Sequence, residues 1–516
     1  MNTTRFLLPF AILVASAAAA APSADHEGRL NEIQKVADHG PFKSSWNSLA
    51  GYQIPAWYQD AKFGLFIHWG VYAVPAFGSE WYPREMYIPG GRHKAYEHHV
   101  QTYGPVDKFG YKDFIPQFKA EKFDPVAWAK LFKESGARYV VPVAEHHDGF
   151  PMYASDYTDW NAAKMGPKRD VIAALEKTIR AEGLHFGLSN HFAEHWWFYG
   201  GGRKLPSDVQ DDRYRGLYGP ARDKDESENG ATPPDKAFLD EWLLHATELV
   251  DKYHPDLIWF DWWIAQPAFS RHLQTFSAYY YNRGSAWKDM VAINYKKFGG
   301  ESFPDTAGVL DIERGGLANI RSLYWQTDTS VSKNSWGHIA NQDYKTVNSL
   351  VDDLVDIVSK NGCMLLNIGP KADGTIPDQE QQMLREIGAW LKQNGEAIYG
   401  TRPWTKFGEG STKVVDGTMA NDAEHRRKDF TAEDVRFTRH GDTVYAIILD
   451  WPGDGASFTV RWFTPTALPK GIKQVTMLGA PGALKWTQDD KGLHVTLPAK
   501  APGQHAYTLK VTPAGS

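Results

Sequence analysis

Between residues 51 and 404 the chain repeats one pattern: an apolar run, a loop, then a stretch whose apolar positions recur at helical spacing. "KFGLFIHWGVY" (62–72) predicts a first strand. "DPVAWAKLFKESG" (124–136) has helical spacing and a closing Gly, and it leads into a strand, "ARYVVPVAEHHDGF" (137–150). The helix "RDVIAALEKTIRAEG" (169–183) precedes the strand "LHFGLSNH" (184–191), and "DKAFLDEWLLHATELVDKY" (235–253) precedes "PDLIWFDWW" (255–263). "VAINY" (291–295), "GVLDIE" (308–313) and "SLYWQTDTSV" (322–331) read as further strands. The helix 344–362, the strand "CMLLNIG" (363–369) and the helix 378–395 close the series.

About eight strands alternating with helices demand parallel strands joined by crossovers. The fold class expected is α/β, a closed (β/α)8 barrel, with an open doubly wound sheet as the alternative. No G-x-G-x-x-G follows a strand, which removes the best support for a dinucleotide fold. Two long inserts, 88–116 and 200–236, follow the first and third strands, so in a barrel both lie on the C-terminal face. From residue 405 to 516 the pattern changes to short alternating strands with Gly and Asp turns, the signature of a small β-sandwich. It carries no polar cluster, so the chemistry is assigned to the barrel.

Residues 1–21, "MNTTRFLLPFAILVASAAAAA", combine one Arg, an apolar run and small residues, and predict a signal peptide cleaved near Ala21. An exported protein, periplasmic or secreted, is therefore expected, with residues 22–50 as a lead-in helix and linker. A net charge of −6 implies neither nucleic acid nor a membrane surface as partner, and no later segment is apolar enough for membrane insertion. Cys363 is the only cysteine, which rules out an intrachain disulfide and any cysteine-based cluster. The 20 tryptophans are a surplus that core packing accounts for only in part, and Trp stacks on the C–H faces of sugars.

The strands end in polar and aromatic residues: His68 and Trp69, Glu145 through Asp148, Asn190 and His191, Asp261, Asn294, Glu313, Asp328. Such residues at barrel strand ends point to a catalytic site. Metal binding is a rival reading of "EHHDGF" and His68, but neighbours on a regular strand face opposite ways, which argues against His146 and His147 sharing an ion. Asp261 is set between Trp and Phe residues, where an unpartnered carboxylate is costly to bury. Two strand-end carboxylates suggest glycoside chemistry, in which one attacks or activates water and the other is the acid. Trp259 and Trp263 are expected to offer apolar faces to the sugar.

"FGLFIHWGVYAVPAFGSEWYPREMY" (63–87), "HHDGFPMYASDYTDWNA" (146–162), "DLIWFDWW" (256–263) and "NSWGH" (334–338) together resemble the α-L-fucosidases of glycoside hydrolase family 29, over residues 50–400 and in matching order. The resemblance implies a barrel with a C-terminal sandwich, a retaining mechanism, a fucosylated glycan or glycoconjugate as substrate, and no metal or other cofactor. It makes Asp261 the nucleophile and puts His68, Glu80, Trp81, His146, His147 and Trp259 where the family holds fucose. Glu313 in "VLDIERGG" becomes the acid/base, with Glu301 and Glu80 as rivals. Three departures stand out: Asn190 where many relatives have Tyr, with His191 as the compensating contact; Lys296 where Arg is frequent; and Gln326 where many carry Glu. An α-galactosidase on the same barrel and an inactive sugar-binding protein are the alternatives, and a homo-oligomer is left open.

Overall fold

In a computed structural model, which describes residues 26–222, 233–297, 303–417 and 428–514, eight parallel strands close into a barrel. They are β1 (Phe63–Ile67), β2 (Tyr139–Glu145), β3 (His185–Asn190), β4 (Leu257–Phe260), β5 (Ala292–Lys296), β6 (Val309–Asp311), β7 (Trp325–Ser330) and β8 (Gly362–Ile368). Each pairs with the next, and β8 returns to β1 with Phe63 opposite Met364 and Ile67 opposite Ile368. That closure leaves no free edge and excludes the open sheet. Nearly every strand residue is buried, because side chains point either into the barrel or under the outer helices. This is why the strands appear in the sequence as apolar runs rather than as alternation. The expected leader lies outside the described residues, among which no helix is long and apolar enough to cross a membrane.

The outer helices start at side-chain caps. Asp124 accepts from the N–H groups of Val126 and Ala127, Asp170 from Ala173, Asp235 from Phe238 and Thr346 from Ser349. Each cap satisfies a donor without an intrahelical partner, a contribution of about 1 kcal/mol. The strands are shorter than the apolar runs suggested. β1 stops at Ile67, β2 at Glu145, β4 at Phe260 and β6 at Asp311, so His68, His146, His147, Asp261 and Glu313 lie just beyond regular pairing.

Two features depart from the expected alternation. The helix Ser270–Trp287 is weakly marked by the hydrophobic pattern, because beside Leu273, Phe276 and Ala278 it buries many polar or amphipathic residues, among them Tyr279, Tyr280, Tyr281 and Asn282. Conversely, no helix of more than three residues joins β5 to β6 or β6 to β7 among the described residues. The lead-in segment covers that side of the barrel. Trp46 packs edge-on to Phe303, which stacks on Tyr295, and Tyr52 stacks on Tyr281. Asn282 donates to the carbonyls of Val36 and Phe42 and accepts from Phe42 N–H, so the segment is fixed at both ends of its turn. A Cβ at Gly40 would overlap that amide.

Beyond the barrel, β9 (Arg402–Glu409), β10 (Val435–His440), β11 (Thr443–Ile448), β13 (Ile472–Met477) and β16 (Tyr507–Pro513) form one antiparallel sheet in the order β13-β16-β11-β10-β9. A second sheet, β12-β15-β14, is built from β12 (Ser457–Val460), β14 (Trp486–Asp489) and β15 (Gly492–Thr496). The two enclose a core that includes Phe437, Phe463, Leu493 and Leu509. The sandwich docks on the barrel through buried Arg436, whose Nε lies 2.6 Å from Asp356 Oδ1, while Lys360 Nζ lies 2.7 Å from Oδ2. Burial opposes the Asp356 charge, but these two cations hold its carboxyl below the usual range.

Candidate active site

Because all eight strands run the same way, their C-terminal ends share one rim. Just past or at those ends stand His68, the pair His146 and His147, His191, Asp261, Lys296 and Glu313, with Asp328 two residues before the end of β7. These eight side chains, with Glu80, Trp81, Trp259, Trp262 and Trp336, line one cavity of 260 Å³.

Lys296 is the electrostatic hub. Its Nζ lies 2.6 Å from Glu313 Oε2, 3.3 Å from Asp261 Oδ1 and 3.3 Å from Asp328 Oδ2. Burial works against the ammonium, yet Asp328, Glu313 and Asp261 hold its pKa well above that of a free lysine. Asp261 also accepts from Trp262 N–H at 2.9 Å and faces His191 Nδ1 at 3.3 Å. Burial pushes the Asp261 carboxyl up, but Lys296 and His191 outweigh it and keep the group ionised, well below the usual carboxylate range. Asp328 goes the other way, raised by burial and by neighbouring Asp311 in spite of Lys296.

Hydrogen-bond partners orient the histidines, neutral at His68 and partly anionic at His191. His68 Nδ1 lies 2.7 Å from Asn367 Oδ1, and the Asn367 amide is itself fixed because its nitrogen donates to Trp336 O at 2.7 Å. An acceptor at Nδ1 puts the proton there and leaves the Nε2 lone pair for a ligand hydroxyl. Burial and His191 keep this ring neutral. His191 accepts at Nε2 from Ser189 Oγ (2.5 Å) and donates from Nδ1 to Asp261, with a pKa pushed down to about 4 by burial. Glu80 holds the loop that carries Trp336. Its Oε2 accepts from Ser335 Oγ and from the N–H groups of Trp336 and Gly337, at 3.1, 2.8 and 3.3 Å.

The family profile described as "Alpha-L-fucosidase" matches residues 30–396, and that of the "Alpha-L-fucosidase C-terminal domain" matches residues 427–512. The chain belongs to the alpha-L-fucosidase family. This fucosidase, a glycoside hydrolase, is 34% identical to the tissue alpha-L-fucosidase of Rattus norvegicus over 490 residues, covering 91% of this chain and 92% of that one. It is 34% identical over 469 residues to the plasma alpha-L-fucosidase of Homo sapiens, covering 89% and 88% of the two chains. Among solved structures, the alpha-fucosidase of Thermotoga maritima superposes with a TM-score of 0.72 at 30% identity, covering 91% of this chain and all of that one.

Within the fucosidase barrel, Asp261, Glu313 and the expected sugar contacts His68, Glu80, Trp81, His146, His147, His191, Trp259 and Lys296 line the same cavity, whereas the strand-end residues Trp69, Glu145, Asp148 and Asn294 do not. Glu301 lies outside the described residues. Three expectations need correction. Trp263 does not face the cavity: it is buried against Trp197 and Phe269, and Trp262 and Trp336 supply the apolar faces instead. His146 and His147 do not point apart. Both lie past the end of β2, where strand alternation no longer holds, and their rings stand 4.2 Å apart at the cavity wall. One ring nitrogen each of His68, His146 and His191 lie within 4.8 Å of one another, as do single atoms of His147, His191 and Asp261, and neither group holds both His146 and His147. Asn190 does not line the cavity; its Oδ1 accepts from Phe192 N–H in the turn after β3.

Sequence reasoning missed Asn367 and Glu194, which act on the cavity through His68 and His147. Asn367 lay unremarked within the predicted strand 363–369. Glu194, in "HFAEHWW", carried the same signal as Asp261, a carboxylate among aromatic residues.

Proposed function

We propose that the enzyme is an exo-acting, retaining α-L-fucosidase that removes terminal α-L-fucosyl residues by double displacement, with Asp261 as nucleophile and Glu313 as acid and base. One observation carries this reading: Asp261 and Glu313 contact the same ammonium, at 3.3 and 2.6 Å. The nearest oxygens so placed are no more than about 6 Å apart, which suits a retaining pair (about 5–5.5 Å between carboxyl groups) better than an inverting one (about 6.5–9.5 Å).

In the first displacement an Asp261 oxygen bonds the anomeric carbon as the glycosidic oxygen leaves with a proton from Glu313. Esterification removes the Asp261 charge, and Lys296 then faces Glu313 and Asp328 alone. Glu313, which gave up its proton in the first step, now takes one from water. Water then attacks the anomeric carbon and the Asp261 carboxylate departs, so two inversions restore the α anomer. Neutral His68 offers an acceptor lone pair to a sugar hydroxyl, and the rings of Trp81, Trp259, Trp262 and Trp336 suit C–H faces. A 260 Å³ cavity favours a single terminal residue.

Proton NMR of an aryl α-L-fucoside during early turnover tests the mechanism. α-L-Fucose as the first product is expected, and β-L-fucose would overturn double displacement. The two carboxylates suffice without a metal, so EDTA should leave kcat unchanged. Export rests on the apolar leader; N-terminal sequencing of exported material should begin near Pro22.

A further inference from the structure

We propose that Glu194 is a positioning residue of this site, holding His147 as an imidazolium whose Nε2–H faces Asp261. The inference rests on the reading of Asp261 as nucleophile.

Glu194 is fully buried in the turn Phe192–Trp196 that follows β3. Its Oε1 accepts from Trp263 N–H at 3.2 Å, and its Oε2 lies 3.3 Å from His147 Nδ1. The same Nδ1 is 3.1 Å from the carbonyl of His191. Both neighbours are acceptors, so Nδ1 carries a proton. Across the ring, Nε2 lies 3.5 Å from Asp261 Oδ2, again an acceptor. A neutral imidazole can donate from one nitrogen only, and this ring meets carboxylate oxygen on both sides; burial raises the Glu194 carboxyl, and the His147 charge opposes that rise. His147 is the only cationic partner within ion-pair distance of the Glu194 carboxylate among the described residues. Burial opposes the His147 charge, but Glu194 and then Asp261 outweigh it and raise its pKa.

The other titratable groups around the ring leave it as the charged one. Burial keeps His146, His191 and His195 neutral; His195 donates to the His147 carbonyl at 2.9 Å. Asp148 is bonded to the Tyr111 hydroxyl at 2.7 Å, and Lys296 stands on the far side of Asp261.

The arrangement matters because the Asp261 charge vanishes and returns in each cycle. In the ester intermediate His147 loses one of its two anions, and Glu194 alone keeps the ring protonated. When water attacks, the electron pair of the breaking bond returns to Asp261, and the waiting Nε2–H meets the charge as it forms. Without Glu194 the ring would shed a proton and the departing carboxylate would lose that stabilisation.

Histidine ring 15N NMR, with the His147 signals assigned by their loss in His147→Gln, tests the charge directly. In the wild type both His147 nitrogens should remain protonated at pH 6.5. In Glu194→Gln the ring should lose a proton at a pH lower by one unit or more. On an activated aryl fucoside that variant should show kcat reduced about tenfold or more, with KM falling in parallel as the intermediate accumulates. Glu194→Asp, which keeps the charge, should recover most of the rate. A neutral His147 in the wild type at pH 6.5 would overturn the inference, even if Glu194→Gln failed to fold. An unmoved titration in the variant, with kcat and kcat/KM reduced equally, would also overturn it. Full turnover by Asp261→Gly would instead remove the Asp261 reading and leave the His147 titration where it is.

Discussion

Each end of the barrel buries a lysine, and the two are treated in opposite ways. At the mouth, Lys296 is surrounded by Asp261, Glu313 and Asp328, and its pKa stands well above that of a free lysine. At the floor, Lys62 has no hydrogen-bond partner for its Nζ among the described residues, and the Nζ sits over the Tyr324 ring at 5.0 Å. Burial lowers its pKa to about 7. Arg402 adds to the lowering and Asp60 opposes it, while the polar groups behind Lys62 in the barrel are neutral. Tyr58 and Tyr139 donate to Gln326 Oε1 at 2.7 and 2.8 Å, and Cys363 lies against the same group. Polarity inside a barrel is therefore not the mark of its site. Charges that balance one another and still face a cavity are.

The comparison breaks most sharply at Asp261. Asp261→Gly should keep the fold and lower kcat by several orders of magnitude, because no other group at the mouth can form the glycosyl ester. With azide it should release the β-fucosyl azide, the product of one displacement, identifiable by NMR. Glu313→Ala should lose about as much on natural fucosides but far less in kcat/KM on an activated aryl fucoside. Azide there should give the α-fucosyl azide.

Lys296→Met strikes the hub. Three carboxylates would share a buried site with no ammonium, and kcat/KM should fall by about 10²–10³. The pH profile carries the sign. Lys296 holds Asp261 low, so its removal raises the Asp261 pKa, and activity that needs the carboxylate should fail at a higher pH on the acid side. An acid limb unmoved from wild type would show that Lys296 does not set the charge on Asp261.

The barrel was legible in the sequence because burial on both faces writes strands as apolar runs, and capped helices separate them. The mouth was legible because carboxylates and histidines ended those runs. Ser270–Trp287 was not, since its buried face mixes Leu273, Phe276 and Ala278 with three tyrosines, an asparagine and small hydroxyl residues. Trp262 and Trp263 could not be told apart, because strand alternation ends at Phe260 and the chain turns into a short 3-10 helix. Glu194 was hidden for another reason. Its partner His147 comes from a different strand end, and adjacency across the rim leaves no spacing in the chain.

At the floor the effects should appear in stability instead of rate. Gln326 accepts from two tyrosines and donates to Asp311, so Gln326→Glu would put a second carboxylate beside Asp311, whose nearby cation Lys296 is already paired with Glu313, Asp261 and Asp328. A loss of roughly 3–5 kcal/mol at neutral pH is expected in urea unfolding, easing as pH falls and the new carboxyl protonates. Activity per folded molecule should stay within a few-fold of wild type, because the residue does not line the cavity.

The smallest effect should be a gain. Lys62 has a folded pKa near 7 against 10.5 for a free lysine, so below pH 7 the native state must bury a charge that the unfolded chain leaves in water. Between pH 7 and 10.5 the unfolded chain binds one more proton than the native one at this position, and stability rises with pH by up to about 1.4 kcal/mol per unit. Lys62→Met keeps most of the side-chain volume and the left-handed backbone at φ 61°, and removes only the ammonium. It should stabilise the protein by roughly 2 kcal/mol at pH 6–7, with the advantage shrinking as pH rises toward 9. A stability difference that stays constant over that range would show that Lys62 finds a partner in solution, and the contrast between the two ends of the barrel would lose its electrostatic basis.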